Sequence, residues 1–350
     1  MTAPKYKWQP SSEDIAERFG ISVDRVVRFD QNTSPFSTDW APSIVAPMAR
    51  TLNEYPAASY LPLREAAATY LGTTAEHVVP GAGVDEIILL IAKAYLAPGR
   101  RASAAVPAYA LYEIATRQHN AEFLGIERIG PKFEFPLESL GEAAETSDVT
   151  WLCVPNNPIG DRIDDRWIDA IIGAAKGIVV IDAAYAEFTR DRWTPLVKRH
   201  RNLIVCHTMS KAFGLAGLRV GFSVSSASIA ERLDAVRPPG SISSMSAEIA
   251  TAALREPQRM ERRVVRLIKE RGRLAQGLTK LGLHVLPSST NFLLCEVGPS
   301  AYSLADQLMA DGLVVRTFPT DGLLTDFLRF TVRAPHENDR LIDALWRHLP

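Results

Sequence analysis

Through the middle of the chain, short apolar runs alternate with segments of helical period. Residues 101–106, 149–154, 178–181 and 203–206 are short, carry β-branched residues and are bounded by Gly, Pro, Asn or Asp, the pattern of buried strands. Between the second and third runs, Trp167, Ile168, Ile171, Ile172 and Ala175 recur at i, i+1, i+4, i+5 and i+8, the stripe of an amphipathic helix. Strand, helix, strand in this order predicts an α/β protein with a mostly parallel sheet covered by helices. Ligands of such sheets sit beyond the carboxyl ends of the strands.

After Pro257 the pattern changes. Residues 261–280 carry Val264, Val265, Leu267, Ile268 and Leu274 among many charges and read as one long helix. Its Arg259, Arg262, Arg263 and Arg266 are expected to form a solvated face rather than an anion patch. Residues 283–286 and 291–296 read as strands of a second, smaller unit, closed by an amphipathic helix with Leu341, Ile342, Leu345, Trp346 and Leu349. There is no repeat and no low-complexity linker, and the boundary is placed near Pro257.

Composition narrows the function classes. The 350 residues leave ample length for a large core, and 47% apolar with 23% charged residues is ordinary for a globular protein. A formal net charge of −1 gives no electrostatic reason to expect nucleic acid or an anionic membrane, so a small-molecule ligand is expected. Residues Met1 to Trp8 hold no apolar core of a leader, and no apolar stretch approaches a membrane span; a cytoplasmic location is expected. Cys153, Cys206 and Cys295 lie in apolar runs without metal spacing, as buried free thiols do, and the scattered histidines suggest no metal site. His207 reads as a packed neighbour rather than a ligand.

The chemistry concentrates after residue 207. Ser210-Lys211-Ala212-Phe213-Gly214-Leu215-Ala216-Gly217-Leu218-Arg219-Val220-Gly221 places a lysine on a Gly-rich turn after an apolar run, with an arginine eight positions further on. A pyridoxal phosphate (PLP) site needs these parts: an amine to hold the aldehyde, and a cation with backbone N–H groups for the phosphate. Lys211 would supply the amine and Arg219 the cation.

This segment resembles the lysine motif of fold-type I PLP-dependent aminotransferases of class I/II, most closely that of the histidinol-phosphate aminotransferase family. Four more segments resemble the family in the same order: Gly81-Ala82-Gly83-Val84-Asp85-Glu86, Asn156-Asn157-Pro158-Ile159-Gly160, Asp182-Ala183-Ala184-Tyr185 and Leu328-Arg329-Phe330-Thr331-Val332. The resemblance runs from about Phe29 to the C-terminus and implies a large PLP-binding domain, its parallel sheet sandwiched by helices, plus a smaller α+β domain. We divide the chain into an arm (1–34), a large domain (35–257) and a small domain (258–350). It further implies transfer of an amino group between an amino donor and a 2-oxo acid such as 2-oxoglutarate, in a homodimer.

The resemblance assigns roles residue by residue. Asp182 would keep the pyridine nitrogen protonated, since a buried carboxylate facing a cation favours the charged pair. Asn157 and Tyr185 would donate to the ring O3′. Lys211 would hold the cofactor and, once displaced, move a proton at the substrate Cα. The phosphate would meet the amides of Gly83, Val84 and Asp85 at a helix start, the hydroxyls of Thr208 and Ser210, and the charge of Arg219. Tyr109 would stack on the ring, with Tyr112 as packing. Arg329 would clamp the substrate carboxylate in a bidentate pair, with Asn291 holding that arginine or the carboxylate. Tyr55 is either a tyrosine that reaches the partner subunit's phosphate or an interior side chain in a Pro turn.

Departures fall around the substrate. Asp30-Gln31-Asn32-Thr33-Ser34-Pro35 stands where the family has Asn-Glu-Asn-Pro, and Arg333 and Ala334 stand where it has Gly and Thr. Val84, Ile159 and Ala183 are milder changes. The leading donors are histidinol phosphate or an aromatic amino acid. The alternatives are decarboxylation of a phospho-amino acid of the threonine-phosphate type and a PLP-binding sensor, for whose DNA-binding domain the segment before Phe29 leaves no room.

Overall fold

The computed structural model describes residues 9–320 and 322–349, and the amino-terminal segment with Tyr6 and Trp8 lies outside them. Its strands run β1 (Val27–Arg28), β2 (Val78–Gly81), β3 (Arg101–Val106), β4 (Glu122–Glu127), β5 (Val149–Cys153), β6 (Ile178–Asp182), β7 (Leu203–Thr208), β8 (Gly221–Ser225), β9 (His284–Val285), β10 (Phe292–Glu296), β11 (Leu313–Val314) and β12 (Phe327–Thr331). Seven of them form one sheet in the order β2-β8-β7-β6-β5-β3-β4. From β4 to β7 all neighbours are parallel, and β8 is antiparallel to both β7 and β2.

The apolar runs are continuous because both faces of these strands are covered. Val179 and Ile181 of β6 enter one core with Ile168, Ile171 and Ile172, while Val180 enters another with Ile87, Ile88 and Ile91. The predicted helix between β5 and β6 spans Asp165–Ala174, and its stripe is the buried face. Cys206 and Cys295 are buried, Cys153 is half-buried, and all three are free thiols.

Strand register puts the chemistry on one edge. Cys153, Asp182 and Cys206 pair across β5, β6 and β7, so the residues following them emerge together at the carboxyl end of the sheet. β8 had no signature of its own, yet its reversal matters: Gly221 pairs with both Thr208 and Gly81, which brings Arg219 and Gly83 to the same edge. No side chain fits at Gly221, because a Cβ there would stand 2.6 Å from the Val84 amide nitrogen.

The C-terminal residues build a three-stranded antiparallel sheet, β12-β10-β9. A second, two-stranded sheet joins the ends of the chain, β1 running parallel to β11. The long helix is Gln258–Lys280. Its arginines do not form a plain solvated face. Arg263 donates to the carbonyls of Ser37 (2.5 Å) and Phe213 (3.3 Å), while Arg259 lies over the Trp40 ring and Arg266 over Phe36. They bind residues 36–40 to the helix, because a guanidinium in a small apolar patch gains more from carbonyls and ring faces than an isolated charge would.

Candidate active site

Lys211 lies just past β7, its Nζ donating to the Gln31 carbonyl at 3.0 Å. Burial, and then Arg329 nearby, pull its pKa down to about 8; Asp85 and Asp182 oppose that shift. An amine so placed gives up its proton far more readily near neutral pH than an ordinary surface lysine does, so a larger fraction of it is free to act as a base and nucleophile.

Asp182 ends β6, fully enclosed. Its Oδ1 accepts from the Ala184 amide (3.1 Å) and its Oδ2 from the Tyr112 hydroxyl (2.6 Å). Burial pushes the carboxyl up to about 6, against these two donors. A cation placed beside it would bring it back to the ionised form. Tyr112, expected to be packing alone, is a direct partner of this carboxylate. His207 is the packed neighbour expected: it is buried, lies flat on Phe222, and burial lowers its pKa to about 4.

The phosphate-binding residues named from sequence come together. Arg219 sits in the left-handed region (φ 51°), a cost of roughly 1–3 kcal/mol for a residue with a Cβ, and typical of functional turns. Its guanidinium reaches Asp85 Oδ2 at 2.7 Å and Ser210 Oγ at 3.4 Å. Thr208 Oγ1 accepts from the Ser210 amide, and the Tyr109 hydroxyl donates to Asp85 Oδ1 at 3.0 Å. The helix Gly83–Tyr95 begins here, at a glycine with φ 81°. Few residues with a Cβ adopt that backbone angle, and a Cβ on Gly83 would lie 2.7 Å from Arg219 Nη2 and displace the guanidinium. Helix N-terminus, hydroxyls and guanidinium fit a phosphate monoester, and Lys211 and Asp182 fit the aldehyde and ring nitrogen of PLP.

Arg329, the clamp expected for the substrate, is buried, donates to Asn157 Oδ1 (2.5 Å) and to the Asp30 carbonyl (2.7 Å), and lies over the Phe292 ring. With its oxygen engaged, the Asn157 amide keeps its NH2 as donor. Tyr185 accepts from Asn32 Nδ2 at 2.9 Å, and burial holds its phenol protonated. Asn291 does not bond Arg329: its Nδ2 donates to the Asn32 carbonyl, and it acts on the site through the segment Asp30 to Asn32. Tyr55 is 95% exposed, which removes the interior reading.

Sequence reasoning set the segment Asp30 to Pro35 around the substrate but gave Gln31 and Asn32 no role, and it did not name Arg316. Gln31 and Asn32 supply a carbonyl and an amide to Lys211 and Tyr185, contacts whose backbone half carries no residue signature. Arg316 pairs directly with Arg329 across an antiparallel bridge, and opposed residues project from the same face. The apolar run Leu313-Val314-Val315 ending in arginine, like Leu328-Arg329, was the available signal.

A lysine amine, a buried carboxylate and an anion cradle opening on one strand edge define the class: PLP-dependent transferases. Residues 25–345 match the model of the aminotransferase class I and II family, and the chain belongs to it, within the histidinol-phosphate aminotransferase branch. It is 37% identical over 297 residues to the histidinol-phosphate aminotransferase of Caldanaerobacter subterraneus subsp. tengcongensis, covering 84% of each chain. The crystal structure of histidinol-phosphate aminotransferase from Sinorhizobium meliloti in complex with pyridoxal-5'-phosphate superposes with a TM-score of 0.87 at 25% identity, covering 98% of this chain and 94% of that one. The L-threonine-O-3-phosphate decarboxylase of Porphyromonas gingivalis shares the fold alone: TM-score 0.77, 23% identity, 91% and 100% covered. The protein is therefore a PLP-dependent aminotransferase, and the decarboxylase alternative is not favoured.

Proposed function

We propose that this aminotransferase moves the amino group of histidinol phosphate to 2-oxoglutarate. The observation that carries this reading is the Arg316–Arg329 bridge, which sets two guanidinium-bearing residues side by side at the substrate edge. Two arginines suit a phosphate dianion, and the same pair accepts a carboxylate when glutamate or 2-oxoglutarate occupies the site. The names of the relatives at 30% identity and above support the same donor.

The bound cofactor supplies an electron sink for charge developing at the substrate Cα. The chain's residues do the rest. Asp182 would face the ring nitrogen and favour its protonated form, Asn157 and Tyr185 would donate to the ring oxygen, and Tyr109 would cover one ring face. Lys211 Nζ, its pKa lowered by burial, would hold the cofactor and, once displaced, would serve as the base that moves a proton at the substrate Cα. Arg219, Ser210, Thr208 and the amides of Gly83, Val84 and Asp85 anchor the phosphate, so that the ring is held while Lys211 moves.

We further place the protein in the cytoplasm as a homodimer whose exposed Tyr55 reaches the partner's phosphate cradle. No helix of the described residues is long and apolar enough to cross a membrane.

Purified protein titrated with amino donors, without any 2-oxo acid, tests the substrate. Histidinol phosphate is expected to bleach the long-wavelength cofactor band at far lower concentration than phenylalanine, glutamate or threonine phosphate. Bleaching by phenylalanine alone reassigns the donor, and CO2 release from threonine phosphate removes the transfer reading.

A further inference from the structure

Tyr112 lies one helical turn beyond Tyr109, in the first turn of the helix Leu111–Gln118, and is almost wholly buried. Three contacts fix it. Its ring is stacked on Trp151 (centroids 5.0 Å apart, 4° between planes), it presents an edge to Tyr109 (5.8 Å, 87°), and its hydroxyl donates to Asp182 Oδ2 at 2.6 Å. One side chain therefore touches two of the residues assigned to the cofactor ring, the aromatic on its face and the carboxylate at its nitrogen.

We propose that Tyr112 is a positioning residue for the cofactor, its hydroxyl holding the Asp182 carboxylate and its ring setting the Tyr109 face, so that the pyridine nitrogen meets an acceptor already oriented. This rests on Asp182 being the partner of that nitrogen. A carboxylate has lone pairs for several donors, so Tyr112 and a ring N–H share Asp182 without exclusion. The titratable groups facing Asp182 are Tyr112 from its helix, Cys153 and Cys206 from the flanking strands, Tyr185 just beyond β6, Asp85, and Lys211 from the loop after β7. Among them Tyr112 and the Ala184 amide are the hydrogen-bond donors that favour its charged form, against a burial that favours the neutral acid. Removing the hydroxyl leaves the Ala184 amide alone in that role. More of the cofactor-free protein then carries a protonated Asp182 near neutral pH, and that form must lose its proton before it can pair with a pyridinium.

The test is the dissociation constant of pyridoxamine 5'-phosphate, which binds without a covalent bond to Lys211, measured from pH 5.5 to 9 on protein stripped of cofactor. Tyr112→Phe keeps the Trp151 stack. It is expected to weaken binding about tenfold near pH 7, the scale of one hydrogen bond to a charged group, with the loss shrinking toward pH 9. Asp182→Asn is expected to weaken binding across the whole range, and the double variant to be no worse than Asp182→Asn. A loss by Tyr112→Phe that is the same at every pH and adds to that of Asp182→Asn overturns the proposal, as does no loss at all. Full affinity in Asp182→Asn instead removes the role of Asp182, and this inference with it. Should Tyr112→Phe not fold, Tyr112→His and Tyr112→Leu replace it: both give up the phenol, only His keeps a donor, and equal affinity in the two overturns the proposal.

Discussion

At the scale of single residues, the site is a set of groups held away from their ordinary ionisation. Lys211 illustrates the sign of the effect. Its pKa falls from 10.5 to about 8 in the folded chain, so between those values the unfolded chain binds a proton that the folded one does not. The lysine's contribution to stability therefore rises with pH through that window, and below it the cost of a buried ammonium is fully present. In cofactor-free protein, Lys211→Met is expected to melt above the wild type at pH 7, with the gap closing toward pH 10.5. A constant gap across thermal melts in this range would place the amine in water. The same variant should lose the long-wavelength absorbance and the activity. Lys211, Arg219 and Asp182 were legible in the sequence because short local segments carry them. Gln31 and Asn32 were not, since they act across 180 and 153 positions through groups that only the folded chain brings near.

At the scale of elements, the most consequential strand is the reversed one. The parallel strands could be read because burial on both faces writes an unbroken apolar run. β8 writes no such run, its Phe222 and Val224 alternating with Ser223 and Ser225, and nothing in this short segment states which neighbours it pairs with. Its direction nevertheless sets Gly221 against the start of the helix Gly83–Tyr95. Gly221→Ala would press a methyl into the Val84 amide and the Gly83 carbonyl carbon, at 2.6 and 2.7 Å, where backbone and not a flexible side chain must yield. We expect a lower melting temperature and at least tenfold weaker binding of pyridoxamine phosphate, the scale of a lost charge-assisted contact. Affinity equal to the wild type would show that this helix start does not cradle the phosphate. The long helix carries a related lesson. Its arginines were legible as helical surface, but their seats on Ser37, Phe36 and Trp40 depend on a segment more than 200 positions earlier.

At the scale of the whole molecule, the proposed dimer makes each site a joint construction, and mixing experiments follow. Lys211→Ala and Tyr55→Ala homodimers should each be impaired. Subunits exchanged between them should regain activity, because a mixed dimer carries one site with Lys211 from one chain and Tyr55 from the other. No recovery, with exchange confirmed by mass, would leave Tyr55 serving its own subunit. The junction of the chain's two ends has another bearing, on how the protein is made. β1 is paired by β11, the Asp30 carbonyl by Arg329 and the Asn32 amide by Thr331, the last two contacts each spanning 299 positions. A ribosome releases residues 27–32 early and their partners near the end of synthesis. The central sheet can assemble meanwhile, since all its strands lie between residues 78 and 225. The partners of residues 27–32 wait for about the last ninth of the chain, so a nascent chain halted before residue 313 holds the central sheet but lacks Arg316 and Arg329, the pair proposed to hold the substrate.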